Sequence, residues 1–407
     1  MPAIAAEPAQ GGWTRLDGVD LLRSVAILLV LMNHTHLRLL FAHVPYTAGL
    51  PAQLVSSLMW NGQYGVQIFF AVSGFLITSI SLRRWGSPSG ISLYGFYRLR
   101  LARIAPLLLL LLAVLSALDL AHVHNYVVPA RTGGLGAALL AALTFHINLL
   151  EAHRGYLPGN WDVLWSLSIE EAFYLAFPLI CAALGRGRLL LGVLCVVVAL
   201  GPVGRTLLAN GSEIWREYSY LGGMDAIALG CLTAMMLARV PPGTAAYRWL
   251  GGAGGWLGAA LLSFSLGCST WAKAWGLQRS GLDMSLIAAG TCLLAAAAAC
   301  SRRRGAPLMR PLLLLGRRSY EIYLTHMFVV FTLFGWFVRA GEPIRAVPLL
   351  FVAVILIAAA LGEVVARLYS EPMNRLLRGR LGRLPPVAAV IGSPRNVHDV
   401  RTTSTTT

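Results

Sequence analysis

Apolar stretches separated by short, mostly basic polar segments recur along the chain from residue 19 to residue 369. A bilayer core about 30 Å thick takes roughly 17 to 25 mostly apolar residues per crossing helix. Stretches of that length lie at 19–41, 58–80, 100–120, 164–184, 189–209, 220–237, 249–268, 282–300, 312–338 and 347–369. The pattern predicts ten membrane-spanning helices. An eleventh apolar stretch, 136–150, is short and runs into Thr144-Phe145-His146-Ile147-Asn148. It is expected to insert partly or to lie on the bilayer surface.

Charge sets the expected orientation. With ten crossings and a cytoplasmic N-terminus, 23 of the 33 basic residues fall on the inner side, nine fall outside and Arg367 lies within a span. Counting 136–150 as a crossing would turn Arg302-Arg303-Arg304 and the basic C-terminus outward, against the excess of Lys and Arg in cytoplasmic loops. The chain therefore reads as an all-α integral membrane protein, about ten transmembrane helices around a polar cavity. It is expected in the inner (plasma) membrane with both termini cytoplasmic.

Composition agrees with this reading. Hydrophobic residues make up 57% of the chain and charged residues 12%, with a mean hydropathy of +0.67, whereas soluble domains carry about 25% charged residues. The net charge of +16 would point to nucleic acid in a soluble chain. Here the basic residues sit in short clusters between spans, without the contiguous basic face that nucleic acid needs, so nucleic acid is not an expected partner. Six cysteines are scattered without a close metal-type pair, and neither a metal site nor a disulfide framework is expected. Residues 1–18 read as a cytoplasmic segment lacking a signal-peptide pattern, 19–372 as the membrane domain, and 373–407 as a basic, partly disordered tail.

Ionisable groups inside the apolar stretches carry the functional information, because they are costly in lipid and face the protein interior or water. Arg23 and His34 stand eleven positions apart in the first span. That is about three helical turns and roughly 16 Å, so both side chains face the same way. Trp165-Ser166-Leu167-Ser168-Ile169-Glu170-Glu171 opens the fourth span and places two carboxylates in what reads as the outer half of the membrane. Ser319, Tyr323 and His326 form a stripe at helical spacing in the ninth. Arg100 and Arg103, three apart, lie on one side of the third span where it enters from the cytoplasm, and a guanidinium fork suits phosphate.

Each of these has a plainer reading. A buried His or Glu can hydrogen-bond a neighbouring helix, and arginines at a membrane edge serve as topology anchors. Taken together, two mid-depth histidines, a Glu pair and an Arg cluster outline a cavity for proton transfer and anion binding. His36, Asp225 and Glu363 are weaker candidates. Ser73-Gly74 and the run 251–258 read as helix-packing surfaces, and Asn210-Gly211-Ser212 as a chance glycosylation triplet.

These segments, in this order, resemble the acyltransferase-3 family of integral membrane acyltransferases. The resemblance rests on Arg-x10-His at Arg23 and His34, Phe-Phe-x-x-Ser-Gly-Phe-Leu from Phe69 to Leu76, and Arg-x-x-Arg at Arg100 and Arg103. Trp-Ser-Leu-Ser-Ile-Glu-Glu from Trp165 to Glu171 and Ser-Tyr-x-Ile-Tyr-Leu-x-His from Ser319 to His326 complete it. The chain departs from the family pattern at Ala172, often Gln, and at Thr325, often aromatic. The resemblance implies an acyl-CoA donor, usually acetyl-CoA, entering from the cytoplasm, with His34 central to transfer and no permanently bound cofactor. Some members carry a further extracytoplasmic hydrolase-like domain. About 38 residues follow Tyr369, so the acceptor is expected to be handled by the membrane domain or a separate partner.

The expected reaction is acyl transfer to a hydroxyl of a carbohydrate, such as a cell-surface glycan. His34 is the expected base, since a base tuned near operating pH favours His, with Glu170 or Glu171 orienting it; transfer through an acylated His34 is a variant. Arg23, Arg100, Arg103, Ser319, Tyr323 and His326 are expected to bind donor or substrate. One alternative is acylation of a glycosylated small molecule such as a macrolide. A rival of another class is a proton-coupled transporter or flippase, because buried His and Glu chains also serve as proton relays.

Overall fold

The computed structural model describes residues 16–209, 212–301 and 305–380. The expected N-terminal segment up to residue 15, the tail beyond 380, the 302–304 arginines and most of the Asn210 triplet lie outside the described residues. Among the described residues the regular structure is helical, and nine helical segments are long and apolar enough to cross a membrane.

The helices that traverse the bundle are α1 Asp17–Phe41, α2 Gly62–Trp85, α3 Leu93–Leu120, α4 Leu164–Leu184 and α5 Leu189–Arg205. They are followed by α6 Tyr220–Leu237, α7 Gly255–Gly267, α8 Leu282–Ser301, α9 Ser319–Arg339 and α10 Val347–Val365. Of these α7 has only 13 residues but is prolonged by the helical segments Ala245–Trp249 and Leu250–Gly254, whereas α5, at 17 residues, stands alone. It nonetheless runs the full depth: Gly185 just before it abuts Ser89, and Arg205 at its end reaches Gly281. Short helices prolong others, Ala52–Met59 leading into α2 and Glu371–Arg380 continuing the line of α10.

Pairings between loops define two ends. At the basic end Arg317 bridges to Asp17 and Asp20 at 3.2 and 3.0 Å, and Arg318 clasps Glu363 and Glu371. At the opposite end Asn61 donates to the Leu266 carbonyl at 2.9 Å, and Ser56 and Ser269 share a hydrogen bond of 2.6 Å. Between the ends the outer surface is apolar: Leu109, Leu349, Leu356 and Trp256 are all more than half exposed. A soluble protein would bury such residues, and lipid is their matching solvent.

Where helices touch most closely, glycine permits it. A Cβ on Gly74 would lie 1.9 Å from the Ile227 carbonyl oxygen, and one on Gly230 2.2 Å from that of Ala71. Thus α2 and α6 meet backbone to backbone. In the 251–258 run, Gly258 meets Gly290 in the same manner, whereas Gly252 faces open space.

Two boundaries differ from the hydropathy pattern. The stretch 312–338 divides at Arg318 into Arg310–Arg317 and α9. The stretch 136–150 becomes two short helices, Gly134–Leu143 and Ile147–Arg154. Phe145 between them takes a φ of 57°, which no helix accommodates. A ten-residue helix is about 15 Å long and cannot cross a core about 30 Å thick. Asp225 is likewise accounted for by the fold: it pairs with Arg205 at 2.9 Å, both fully buried, and Gln67 donates to it at 3.0 Å.

Candidate active site

Helices α1 and α9 pack side by side and carry two polar rungs. On the lower one, nearer the basic end, the Arg23 Nε donates to the Ser319 Oγ at 3.1 Å. Three turns further along α1, the His34 and His326 rings face each other with centroids 5.1 Å apart. The Nδ1 of His326 lies 2.7 Å from the Tyr323 carbonyl oxygen. A carbonyl only accepts, so Nδ1 carries the proton and Nε2 presents a lone pair. That Nε2 is buried without a protein partner. His34 itself is partly buried.

Tyr323 stands between the rungs. Its hydroxyl contacts the Ser166 Oγ at 2.7 Å and donates to the Val163 carbonyl at 3.1 Å. Its ring lies 5.9 Å from that of His326 and edge-on to Phe69.

The two carboxylates go elsewhere. Arg100 NH2 lies 3.3 Å from Glu170 and 2.9 Å from Glu171, and its guanidinium sits 3.4 Å over the Tyr174 ring. Tyr174 donates to Glu170 at 2.7 Å, and Ser73 contacts both Glu170 and Tyr174. These residues tie α2, α3 and α4 into one node. The structure therefore brings Glu170 and Glu171 to Arg100 rather than to His34, and Arg100 is occupied by carboxylates rather than facing solvent. Ser73, read from sequence as packing, belongs to this node; only its neighbour Gly74 makes the close helix contact.

A passage links the node to the basic end. A cavity of about 120 Å³ in mid-bundle is lined by Arg23, Ser73, Arg100, Glu170, Ser319 and Tyr323. A vestibule of about 280 Å³ at the basic end is lined by Arg317, Arg318 and Arg378, among others. Both are lined by Arg23, Arg103 and Tyr320, which makes them one path. Arg103 has no ion pair among the described residues. The path closes at Tyr323, one ring short of the histidines.

Beyond His34 the polar file continues toward the opposite end. Arg38, one turn on, lies 4.3 Å over the Phe331 ring and interacts electrostatically with Asp162. Asp162 accepts from the Tyr218 hydroxyl at 3.1 Å. Burial, then the neighbouring Asp162 carboxylate, push the Glu151 carboxyl well above the usual carboxylate range. Arg317, Arg318, Arg378, Arg38 and Asp162 were not singled out by the sequence pattern, since arginines at span ends look like topology anchors. His36 turns away from His34, to the Tyr46 hydroxyl at 2.5 Å and the Trp60 ring. Glu363 belongs to the basic-end clasp. No cluster of three His, Cys, Asp or Glu fit to hold a metal occurs among the described residues.

Comparison with known proteins settles the family, for an acyltransferase domain model, that of acyltransferase-3, matches residues 16–363. The chain belongs to the acyltransferase-3 family. It is 24% identical over 379 residues to the O-acetyltransferase OatA of Staphylococcus aureus strain NCTC 8325 / PS 47, with 88% of this chain and 57% of OatA covered. The OatA proteins of strains COL and MRSA252 match equally. The chain thus spans little more than half the length of these relatives. No solved structure matches it. The matched region takes in both rungs, the Arg100 node and the mid-bundle cavity, while part of the vestibule wall, Arg378 included, lies beyond it.

Proposed function

We propose that the chain is a membrane O-acyltransferase that takes an acetyl or short acyl group from acyl-CoA at the basic, cytoplasmic end and passes it to a carbohydrate hydroxyl at the opposite face. The observation that carries the proposal is the arginine-lined passage running from the basic end to Tyr323, with His34 and His326 just beyond it. The family and the O-acetyltransferase relatives support the chemistry, and the excess of basic residues at one end supports the orientation.

In this reading Arg103 and Arg378, which form no ion pair among the described residues, hold the donor phosphates, with Arg317 and Arg318 adding positive charge to the vestibule wall. Arg23 and Ser319 flank the acyl-carrying arm, and rotation of Tyr323 admits the thioester to His34. His34 takes the proton of the acceptor hydroxyl as that oxygen attacks the thioester carbonyl. The C–S bond then breaks and the proton passes to the leaving thiolate, yielding an ester and free CoA. The His326 ring, fixed by its own bond to the Tyr323 carbonyl and packed 5.1 Å from the His34 ring, limits the orientations open to His34. Glu170 and Glu171 act one step back, fixing Arg100 and the wall of the passage.

Purified protein tests this directly. In a His34→Ala variant, acyl-CoA turnover should fall by about 10²- to 10⁴-fold, the range for a lost acid–base group, while acyl-CoA binding stays within about twofold. Retained turnover would overturn the assignment. Transport of a solute with no thioester consumed by the unaltered protein would favour the transporter reading.

A further inference from the structure

We infer that a second cavity, at the end of the bundle opposite the arginine vestibule, is a docking site for an anionic glycan, the acceptor of the proposed transfer; this rests on the reading above. The cavity measures about 420 Å³ and is lined by Trp60, Tyr64, Arg216, Lys273, Arg279 and Asp283, among others. It lies between the segment before α2, the turn before α6 and the turn before α8.

Apart from Glu217 on one wall, its charges divide into two sets. The inner set is satisfied by the protein: Tyr64 donates to Asp283 at 2.7 Å, and Arg205, at the base, is consumed by Asp225 and the Gly281 carbonyl. The rim set is not. Arg216, Lys273 and Arg279 are exposed, and none forms an ion pair among the described residues. Three unpaired cations around a polar pocket raise the local concentration of anions. Trp60, half exposed at the edge, offers the flat apolar surface on which a sugar ring stacks, and the polar wall offers partners for its hydroxyls. An uncharged or cationic acceptor would leave the rim unused; a uronate- or phosphate-bearing glycan would use all of it.

One wall of the cavity also packs on the outer half of α1. Trp60 packs on His36, two residues past His34, with ring centroids 4.8 Å apart. Asn33, the residue before His34, donates to the Met59 carbonyl at 2.7 Å. Glu217, on another wall, interacts electrostatically with Asp162, which in turn neighbours Arg38. A chain seated in the cavity thus has two routes of contact to the outer half of α1.

The experiment uses the full chain in neutral detergent, with hexagalacturonate as the acidic probe and maltohexaose as the neutral one, binding being followed by calorimetry at low salt. Hexagalacturonate should bind at least tenfold more tightly than maltohexaose. The triple variant Arg216→Gln, Lys273→Gln, Arg279→Gln should lose at least tenfold in that affinity while keeping acyl-CoA binding within twofold, which shows that it is folded. Arg279→Lys alone should retain most of the affinity. Equal binding of the two oligosaccharides, an unchanged triple variant, or complete displacement of the uronate by phosphatidylglycerol micelles at lower concentration would each overturn the inference, the last by making the rim a lipid-headgroup site. Acyl-CoA turnover measured in parallel separates the two readings: turnover without uronate binding sinks only this inference, and uronate binding without turnover sinks the acyl-transfer chemistry.

Discussion

At the scale of single residues, Arg100 and Arg103 part company despite sharing one motif and one helix. Arg100 is paired with two carboxylates, Glu171 buried and Glu170 partly buried, and stacked on Tyr174, whereas Arg103 lines both cavities without an ion pair. Removing one member of a buried ion pair leaves an uncompensated charge and costs about 3–5 kcal/mol. Arg100→Ala should therefore lower the melting temperature in detergent sharply, while Arg103→Ala should keep its melting temperature and weaken acyl-CoA binding at least tenfold. Equal loss of stability in both variants would contradict this division. The residue types of the site were legible in the chain, because Arg, His and Glu at membrane depth stand out in any apolar run. Their partners were not: whether Glu171 turns to His34 or to Arg100 depends on how α3 packs against α4, and no spacing within either helix encodes that.

At the scale of elements, apolar length alone located the crossing helices, since lipid demands the same length of each. It was blind to breaks made by backbone conformation. The turn at Thr144-Phe145-His146 leaves hydropathy nearly unchanged, and the division at Arg318 falls on a polar step, Arg317-Arg318, too short to separate the apolar residues on either side of it. It was equally blind to contacts made by an absent side chain, and here a contrast between glycines can be measured. Gly74→Ala would drive a methyl into the Ile227 carbonyl, whereas Gly136, inside Gly134–Leu143, has nothing within 4 Å. Overpacking of this kind costs about 1–3 kcal/mol, and Gly to Ala in an unobstructed helix gains about 0.5–1 kcal/mol. Thermal unfolding should show Gly74→Ala destabilised and Gly136→Ala unchanged or stabilised. The reverse order would mean that α2 and α6 are not in backbone contact.

At the scale of the whole molecule, the polar residues form a file through an otherwise apolar bundle. It runs from the arginine vestibule through Arg23 and Ser319 to Tyr323, then across the His34–His326 pair to Arg38 and Asp162. A scaffold needs no such file, and an enzyme with donor and acceptor on one side needs only half of it. The proposed sidedness follows from that continuity, and inverted membrane vesicles test it most directly, since they expose the cytoplasmic face and enclose the outer one. Acetyl-CoA labelled in the acetyl group is supplied outside vesicles that contain the protein and its native glycan. The account predicts base-labile, ester-linked label on lumenal glycan, abolished by His34→Ala. Ester formed only on material outside the vesicles, or lumenal label undiminished in the His34 variant, would contradict it.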